Sequence, residues 1–154
     1  MSQDRGGFAI ESTLELTRPP GEVFDCLADT RSFKEVDAAL VEFGPQGRLQ
    51  YGMTGRFLHR RNGLPARSTW QVIELDAPRR LSVEIRGMGY GMIEEADLEA
   101  TPSGTRVRFV DRLWPTSFAG RVMVAVSGGI MRRDLRARAD RLKAVLEQPV
   151  DRST

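Results

Sequence analysis

Polar and apolar residues alternate in short segments between Gly7 and Trp114, and turns containing Gly or Pro separate these segments. In the first segment, Phe8, Ile10 and Leu14 share one face, while Glu11 and Thr13 share the other. The same alternation predicts strands over residues 8–17, 38–43, 51–60, 67–75, 81–86, 92–100 and 105–114. Strands that follow one another across short turns form an antiparallel sheet.

Helical spacing replaces this alternation near the end of the chain. Apolar residues recur every three to five positions over residues 116–147, which predicts one long helix with Thr116 as its cap. Two shorter helices are predicted after the first strand, one beginning at Pro19-Pro20 and one over residues 31–36. The chain therefore predicts an α+β fold, a curved antiparallel sheet of about seven strands with two short helices and one long C-terminal helix.

The long helix is predicted to have two functional halves. Gly128 and Gly129 interrupt its most apolar stretch. Each glycine costs about 1 kcal/mol relative to Ala inside a helix, which suggests a kink or a close approach. Residues 116–130 are expected to cover the inner face of the sheet with three side chains: Phe118, Val122 and Val126. Residues 131–147 are expected to pack as plain structural helix through Leu135, Leu142 and Val145.

Composition indicates one domain with an ordinary hydrophobic core. The chain has 154 residues, 40% of them hydrophobic, and a net charge of +2 that is spread along the sequence. We therefore expect a single domain over 1–154, with its core at 8–147, a loose tail at 148–154 and no nucleic-acid surface. The polar first residues lack a signal-peptide core, which favours a cytoplasmic location.

The sequence contains few residues suited to metal or redox chemistry. One cysteine, Cys26, excludes an internal disulfide, and one histidine, His59, excludes a multi-histidine centre. Gly87, Gly89 and Gly91 lack the spacing of a nucleotide-binding loop and precede a strand; they form either a flexible lid with Tyr90 as its plug or a rigid turn. We expect no cofactor and no bound metal.

Hairpin pairing predicts which side chains share the concave face. A turn at Pro102-Ser103 places Glu94 opposite Asp111, with Leu98 opposite Val107, Ala96 opposite Phe109 and Met92 opposite Leu113. Extending this register places Ile85 near Glu94, Val83 near Ala96 and Trp70 near Ile85.

The paired carboxylates Glu94 and Asp111 allow two interpretations. Inside an apolar cavity the two cannot both ionise cheaply, so one would act as an acid and the other as a base. Alternatively they lie near the rim and pair with arginines such as Arg56, Arg86 or Arg112. His59 is either a solvated residue at a strand end or a proton donor at the cavity mouth.

Four stretches of the chain carry a family resemblance. They are Arg18-Pro19-Pro20-Gly21-Glu22-Val23-Phe24, Val72-Ile73-Glu74-Leu75-Asp76-Ala77-Pro78-Arg79-Arg80-Leu81, Ser103-Gly104-Thr105-Arg106-Val107, and Arg133-Asp134-Leu135 continuing to Leu142-Lys143. Over residues 8–147 the chain resembles the START-related helix-grip superfamily of birch-pollen-allergen-like proteins, and within it the bacterial polyketide cyclase/dehydrase and lipid-transport branch. The resemblance implies a helix-grip fold that encloses a hydrophobic small molecule. No catalytic residue of the aromatase members matches a position here.

Three functions remain open from the sequence. The first is binding or carriage of a lipid, polyketide or quinone, and the second is a polyketide cyclase or dehydratase with Glu94 and Asp111 as acid and base. The third is an interaction module with a vestigial cavity, whose basic helix series from Arg132 to Lys143 contacts a partner or a membrane. The sequence does not fix the oligomeric state. The candidate ligand-binding residues are Phe57, Trp70, Val83, Ile85, Met92, Ala96, Phe109, Leu113, Phe118, Val122 and Val126.

Overall fold

An antiparallel sheet wraps around one long helix in the computed structural model, which describes residues 7–61 and 63–147. The strands within these residues are β1 (Phe8–Leu16), β2 (Leu40–Gly44), β3 (Thr54–Arg61), β4 (Leu64–Asp76), β5 (Arg80–Gly87), β6 (Tyr90–Thr101) and β7 (Gly104–Pro115). They pair in the order β1-β7-β6-β5-β4-β3-β2, so β1 and β2 form the edges. The predicted tail at residues 148–154 lies outside the described residues.

Three helices connect or cover this sheet in the described part of the chain. They are α1 (Pro20–Leu27), α2 (Phe33–Val36), which follows a 3₁₀ turn at Thr30–Ser32, and α3 (Phe118–Leu146). Pro20 stands in the first turn of α1, where its missing N–H costs nothing. These elements confirm the predicted α+β class with two short helices and a long C-terminal helix.

The register of the last hairpin agrees with the sequence prediction. Glu94 pairs with Asp111, and the neighbouring pairs follow the same register. Trp70 also pairs with Ile85 as expected.

The predicted register between β5 and β6 is wrong by two residues. Ile85 pairs with Met92 and Val83 pairs with Glu94. The reason is a turn that contains only Met88 and Gly89, shorter than the loop predicted over residues 87–91. Gly89 has a φ of 82°, a left-handed conformation that glycine adopts without strain, and it permits this tight turn.

The β5–β6 turn is a structural contact and not a free lid. Thr116 donates its backbone N–H to the carbonyl of Gly89 at 2.8 Å. The Tyr90 hydroxyl lies 3.1 Å from the Ser68 hydroxyl, so its ring is held against the sheet. A Cβ at Gly120 would collide with the carbonyl oxygen of Gly89, which shows how closely the two backbones approach. These contacts favour the rigid turn of the two alternatives.

The rotation of α3 about its axis differs from the prediction. Phe118, Val122 and Val126 are 81%, 60% and 70% exposed, so they do not cover the sheet. The contact at Gly120 sets the rotation: Gly120 and Val124 face inward, and positions two residues away from them point outward. The buried residues of the second half are Leu135, Ala139 and Leu142.

The predicted cap of α3 is wrong, and so is one of the two explanations offered for its glycines. Ser117, not Thr116, caps the helix, because its hydroxyl accepts the backbone N–H of Gly120 at 3.0 Å. At Gly129 an added Cβ would meet nothing within 4 Å, so this glycine marks no close approach. The structure offers no packing reason for it.

Candidate functional site

A cavity of about 180 Å³ lies between the concave face of the sheet and the second half of α3. An apolar cavity of about 150 Å³ suffices to hold a molecule the size of benzene. The region between the sheet and α3 is therefore not filled by side chains, and the cavity is large enough for a small apolar molecule.

The structure places the candidate ligand-binding residues in three environments. Those in the cavity wall are Phe57, Trp70, Val83, Ile85, Ala96 and Phe109. Met92 and Leu113 are buried, 9% and 5% exposed, but belong to the packed core beside the cavity. The correction concerns Phe118, Val122 and Val126, which face solvent and do not reach the cavity. The roof consists instead of Leu135, Ala139 and Leu142, of which Leu135 and Leu142 were expected to be purely structural.

Aromatic side chains stack at one end of the cavity. The rings of Phe43 and Trp70 stack with their centroids 5.0 Å apart, and Phe33 meets Phe43 edge-on at 4.9 Å. Trp70 is 3% exposed, and its indole N–H has no hydrogen-bond partner within the described residues. This end of the wall offers flat apolar surface.

Three charged side chains form a cluster at the wall of the cavity. Arg138 of α3 donates from Nη1 to the Glu94 carboxylate and from Nη2 to the Asp111 carboxylate, both at 3.0 Å. The Asp111 side chain is 5% exposed, whereas those of Glu94 and Arg138 are 30% and 28% exposed. One guanidinium thus bridges two carboxylates that cross-strand pairing places side by side.

Burial and mutual repulsion change how this cluster holds protons. Burial raises the pKa of Asp111 to about 7, the charge of Glu94 adds to the rise, and Arg138 opposes it. Burial acts to lower the pKa of Arg138, but Glu94, Asp111 and Asp37 together outweigh that effect and raise it, so the guanidinium stays charged. Near neutral pH the carboxyl group of Asp111 in the cavity wall is therefore partly protonated.

The expectation that the carboxylates pair with Arg56, Arg86 or Arg112 names the wrong arginines. Arg86 pairs with Glu84 at 2.8 Å, and Arg112 pairs with Glu95 at 2.7 Å. The partner is Arg138, which the sequence placed only within the basic helix series from Arg132 to Lys143.

A second polar pair lies in the same cavity wall. His59 Nε2 lies 2.9 Å from an Asp37 carboxylate oxygen, and the side chains are 19% and 17% exposed. The ring of His59 also meets that of Phe57 edge-on at 4.7 Å. Burial alone would raise the pKa of Asp37. The hydrogen bond from His59 and the electrostatic attraction of that residue outweigh burial and lower the pKa of Asp37. His59 is therefore a partnered wall residue and not a solvated strand end.

Sequence reasoning missed two polar residues of the site, Asp37 and Arg138. A signal for Arg138 was available, because it lies three and four residues from Leu135 and Leu142 and so shares their face. No comparable signal marked Asp37, which follows α2 in an irregular segment.

Comparisons with known proteins agree with this architecture. Protein CV1439 from Chromobacterium violaceum superposes with a TM-score of 0.76 at 15% identity, covering 92% of this chain and 98% of that one. Protein Ms6760 from Mycobacterium smegmatis gives 0.70 at 15% identity, with 96% and 94% covered. Ara h 8.0201 gives 0.69 at 11% identity, with 91% and 97% covered.

These likenesses establish the helix-grip fold. A search of curated protein sequences finds no match. None of the helices in the described segments combines the length and the hydropathy needed to cross a membrane. The model of the family described as polyketide cyclase / dehydrase and lipid transport matches residues 8–147. This match spans nearly the whole chain and confirms the resemblance, so the chain belongs to the polyketide cyclase/dehydrase and lipid transport family.

Proposed function

We propose that this protein binds or carries a hydrophobic small molecule in the cavity between the sheet and α3. The observation that carries the proposal is the hollow, mostly apolar cavity roofed by Leu135, Ala139 and Leu142. An empty space of this size makes the folded state less stable than a filled core would. A cavity kept at that cost is more consistent with a ligand site than with a purely structural core. Family membership supports the same function.

The cavity wall limits the chemistry of the ligand. Its aromatic end suits a ring or an acyl chain, which fits a lipid, a polyketide or a quinone. At the charged cluster, two carboxylates face one guanidinium, so an anionic group placed there would meet net repulsion. A hydroxyl or a ketone can bond to Arg138 or to protonated Asp111 without that penalty. We therefore expect an apolar ligand with a neutral polar group.

Filling the cavity tests this function. Ala96 is buried in the wall on β6, whereas Ala100 is exposed farther along the same strand. The probe is N-phenyl-1-naphthylamine, a neutral fluorophore that brightens in apolar sites. Ala96→Leu should weaken probe binding about tenfold or more, or about 1.4 kcal/mol, and Ala100→Leu should leave it unchanged. Urea unfolding of both variants controls for folding, and equal binding by the two folded variants would disprove the cavity as the site.

A cyclase or dehydratase is the second candidate, favoured by the raised pKa of Asp111 beside Glu94. In this mechanism one carboxyl removes a proton next to a ketone and the other protonates the departing or newly formed oxygen. His59 is a further proton donor in the wall. The test uses a poly-β-ketone thioester with product analysis by mass spectrometry. Glu94→Gln and Asp111→Asn should abolish turnover while probe binding persists; absence of turnover by the wild-type protein would leave carriage alone.

A further inference from the structure

The first half of α3 presents an apolar face that no other element of the described segments covers. Its stripe, defined as Phe118, Val122, Val126 and Ile130, repeats every four residues, and the exposed fractions are 81%, 60%, 70% and 53%. Residues at this spacing lie in one line along a helix. Met88, 92% exposed, stands in the turn that contacts the start of the same helix and adds apolar surface there. Contiguous exposed apolar surface of this kind marks an interaction site.

The charges around the stripe have one sign. Between Asp111 and Asp134 the sequence contains four charged residues, and all are arginines: Arg112, Arg121, Arg132 and Arg133. Arg132, Arg133 and Arg136 follow the stripe along the helix and are exposed. The outward face of α3 therefore passes from apolar to mostly basic along its length, with Asp140 as an acidic neighbour of these arginines. An apolar face bordered by arginine matches the boundary between the acyl chains and the anionic headgroups of a bilayer.

A second copy of the chain fits this surface less well. If two stripes packed antiparallel about Val124, Arg121 of each copy would lie opposite Ser127 of the other, and Arg132 would lie opposite Thr116, so neither arginine would face an acidic residue. A parallel arrangement would align the basic ends directly. Like charges therefore meet in the parallel arrangement, and in neither arrangement does an acidic residue of the stripe region offset the arginines. An anionic bilayer supplies the missing negative charge.

We propose that the stripe and the arginines after it dock the protein on the surface of an anionic phospholipid bilayer. The helix lies parallel to the membrane, with the four stripe residues at the level of the acyl chains and Arg132, Arg133 and Arg136 among the headgroups. This surface is on the opposite side of α3 from the cavity roof, so docking and ligand binding are separable. Membrane docking would specify where the protein carries its ligand, but it does not depend on the proposed carriage.

Co-sedimentation with vesicles tests the docking surface. The wild-type protein should sediment with vesicles made of equal parts phosphatidylglycerol and phosphatidylcholine, and much less with pure phosphatidylcholine. Val126→Glu should reduce the partition coefficient about tenfold or more by placing a charge in the middle of the stripe. The matched control is Leu64→Glu, since Leu64 is 73% exposed at a hairpin end far along the chain from α3. Arg133→Glu should reduce binding to the anionic vesicles selectively.

Three results would overturn the proposal. The first is a wild-type protein that sediments with neither kind of vesicle, and the second is equal sedimentation of the wild-type and Val126→Glu proteins. The third is a wild-type dimer in light scattering that Val126→Glu converts to a monomer, without vesicle binding, which would assign the stripe to a second copy. Binding of N-phenyl-1-naphthylamine, measured on the same variants, should stay unchanged and shows whether the cavity function stands independently.

Discussion

Replacing Asp111 by Asn is the most direct test of the charged cluster. Asp111 is almost fully buried, and its pKa is raised from an ordinary value of 3.8 to about 7. Asn has nearly the same shape and can still accept a hydrogen bond from Arg138, but it does not titrate. The pH dependence of the difference between the two proteins therefore reports on this one carboxyl.

The sign of the change in stability with pH follows from the folded and unfolded pKa values of Asp111. Between the unfolded value of 3.8 and the folded value of about 7, the folded chain holds a proton that the unfolded chain has released. Stability then falls as pH rises through this window and levels off above the folded pKa. At about 1.4 kcal/mol per pKa unit, the full loss is about 4 kcal/mol. About 2 to 3 kcal/mol of it falls between about pH 5 and pH 8.

Urea unfolding at several pH values between these limits measures the effect. The free energy of unfolding of the wild-type protein, minus that of Asp111→Asn, should decrease by about 2 to 3 kcal/mol from about pH 5 to pH 8. Asp25→Asn, at an exposed carboxylate that pairs with Arg48, controls for the loss of a surface charge. A difference that is flat with pH, or that grows as pH rises, would refute the raised pKa and with it the acid–base argument.

Three further predictions address the helix and the second polar pair. Gly120→Ala should destabilise the protein by about 1 to 3 kcal/mol in urea unfolding, because the new methyl group collides with the carbonyl of Gly89. Gly129→Ala, with open space around it, should instead stabilise the protein by up to about 1 kcal/mol. Equal effects of the two substitutions would contradict the close contact between Gly120 and Gly89. Arg138→Met should destabilise by about 3 to 5 kcal/mol, more at high pH than at low pH because the buried Asp111 carboxyl then ionises without its cationic partner; a loss independent of pH would count against the bridge. His59→Leu should raise the pKa of Asp37 in an NMR titration, since burial would then act without the opposing hydrogen bond; an unchanged value would show that the pair contributes little.

The sheet was largely predictable because its signals are local. Alternation and the Pro102-Ser103 turn were enough to pair Glu94 with Asp111. The predicted register between β5 and β6 was wrong because it depended on the length of one turn. That turn is tight because of Gly89 and its contact with the start of α3. A sequence pattern contains no direct measure of such a long-range contact.

The site was predictable only on its sheet side. The first half of α3 is apolar on two faces, and the pattern could not tell the inward face, with small Gly120 and Val124, from the bulkier outward one. Close backbone approach, and not hydrophobicity, decided between them. Arg138 looked like one more residue of a basic series until the fold placed two carboxylates beneath it.

Attachment of α3 at both ends bears on how fast a ligand could leave. At the far end, Arg18 donates to the carbonyl of Leu146 at 2.8 Å, and at the near end Thr116 bonds to Gly89. Swinging the helix outward would break one of these attachments. The helix α2, which also lines the cavity, has only four residues, and of these Phe33 and Val36 are no more than partly buried against the core. Segments with few buried contacts open at the lowest free energy. The dissociation rate of a bound molecule should therefore follow the amide exchange of Phe33–Val36 and remain insensitive to mutations that tighten the ends of α3.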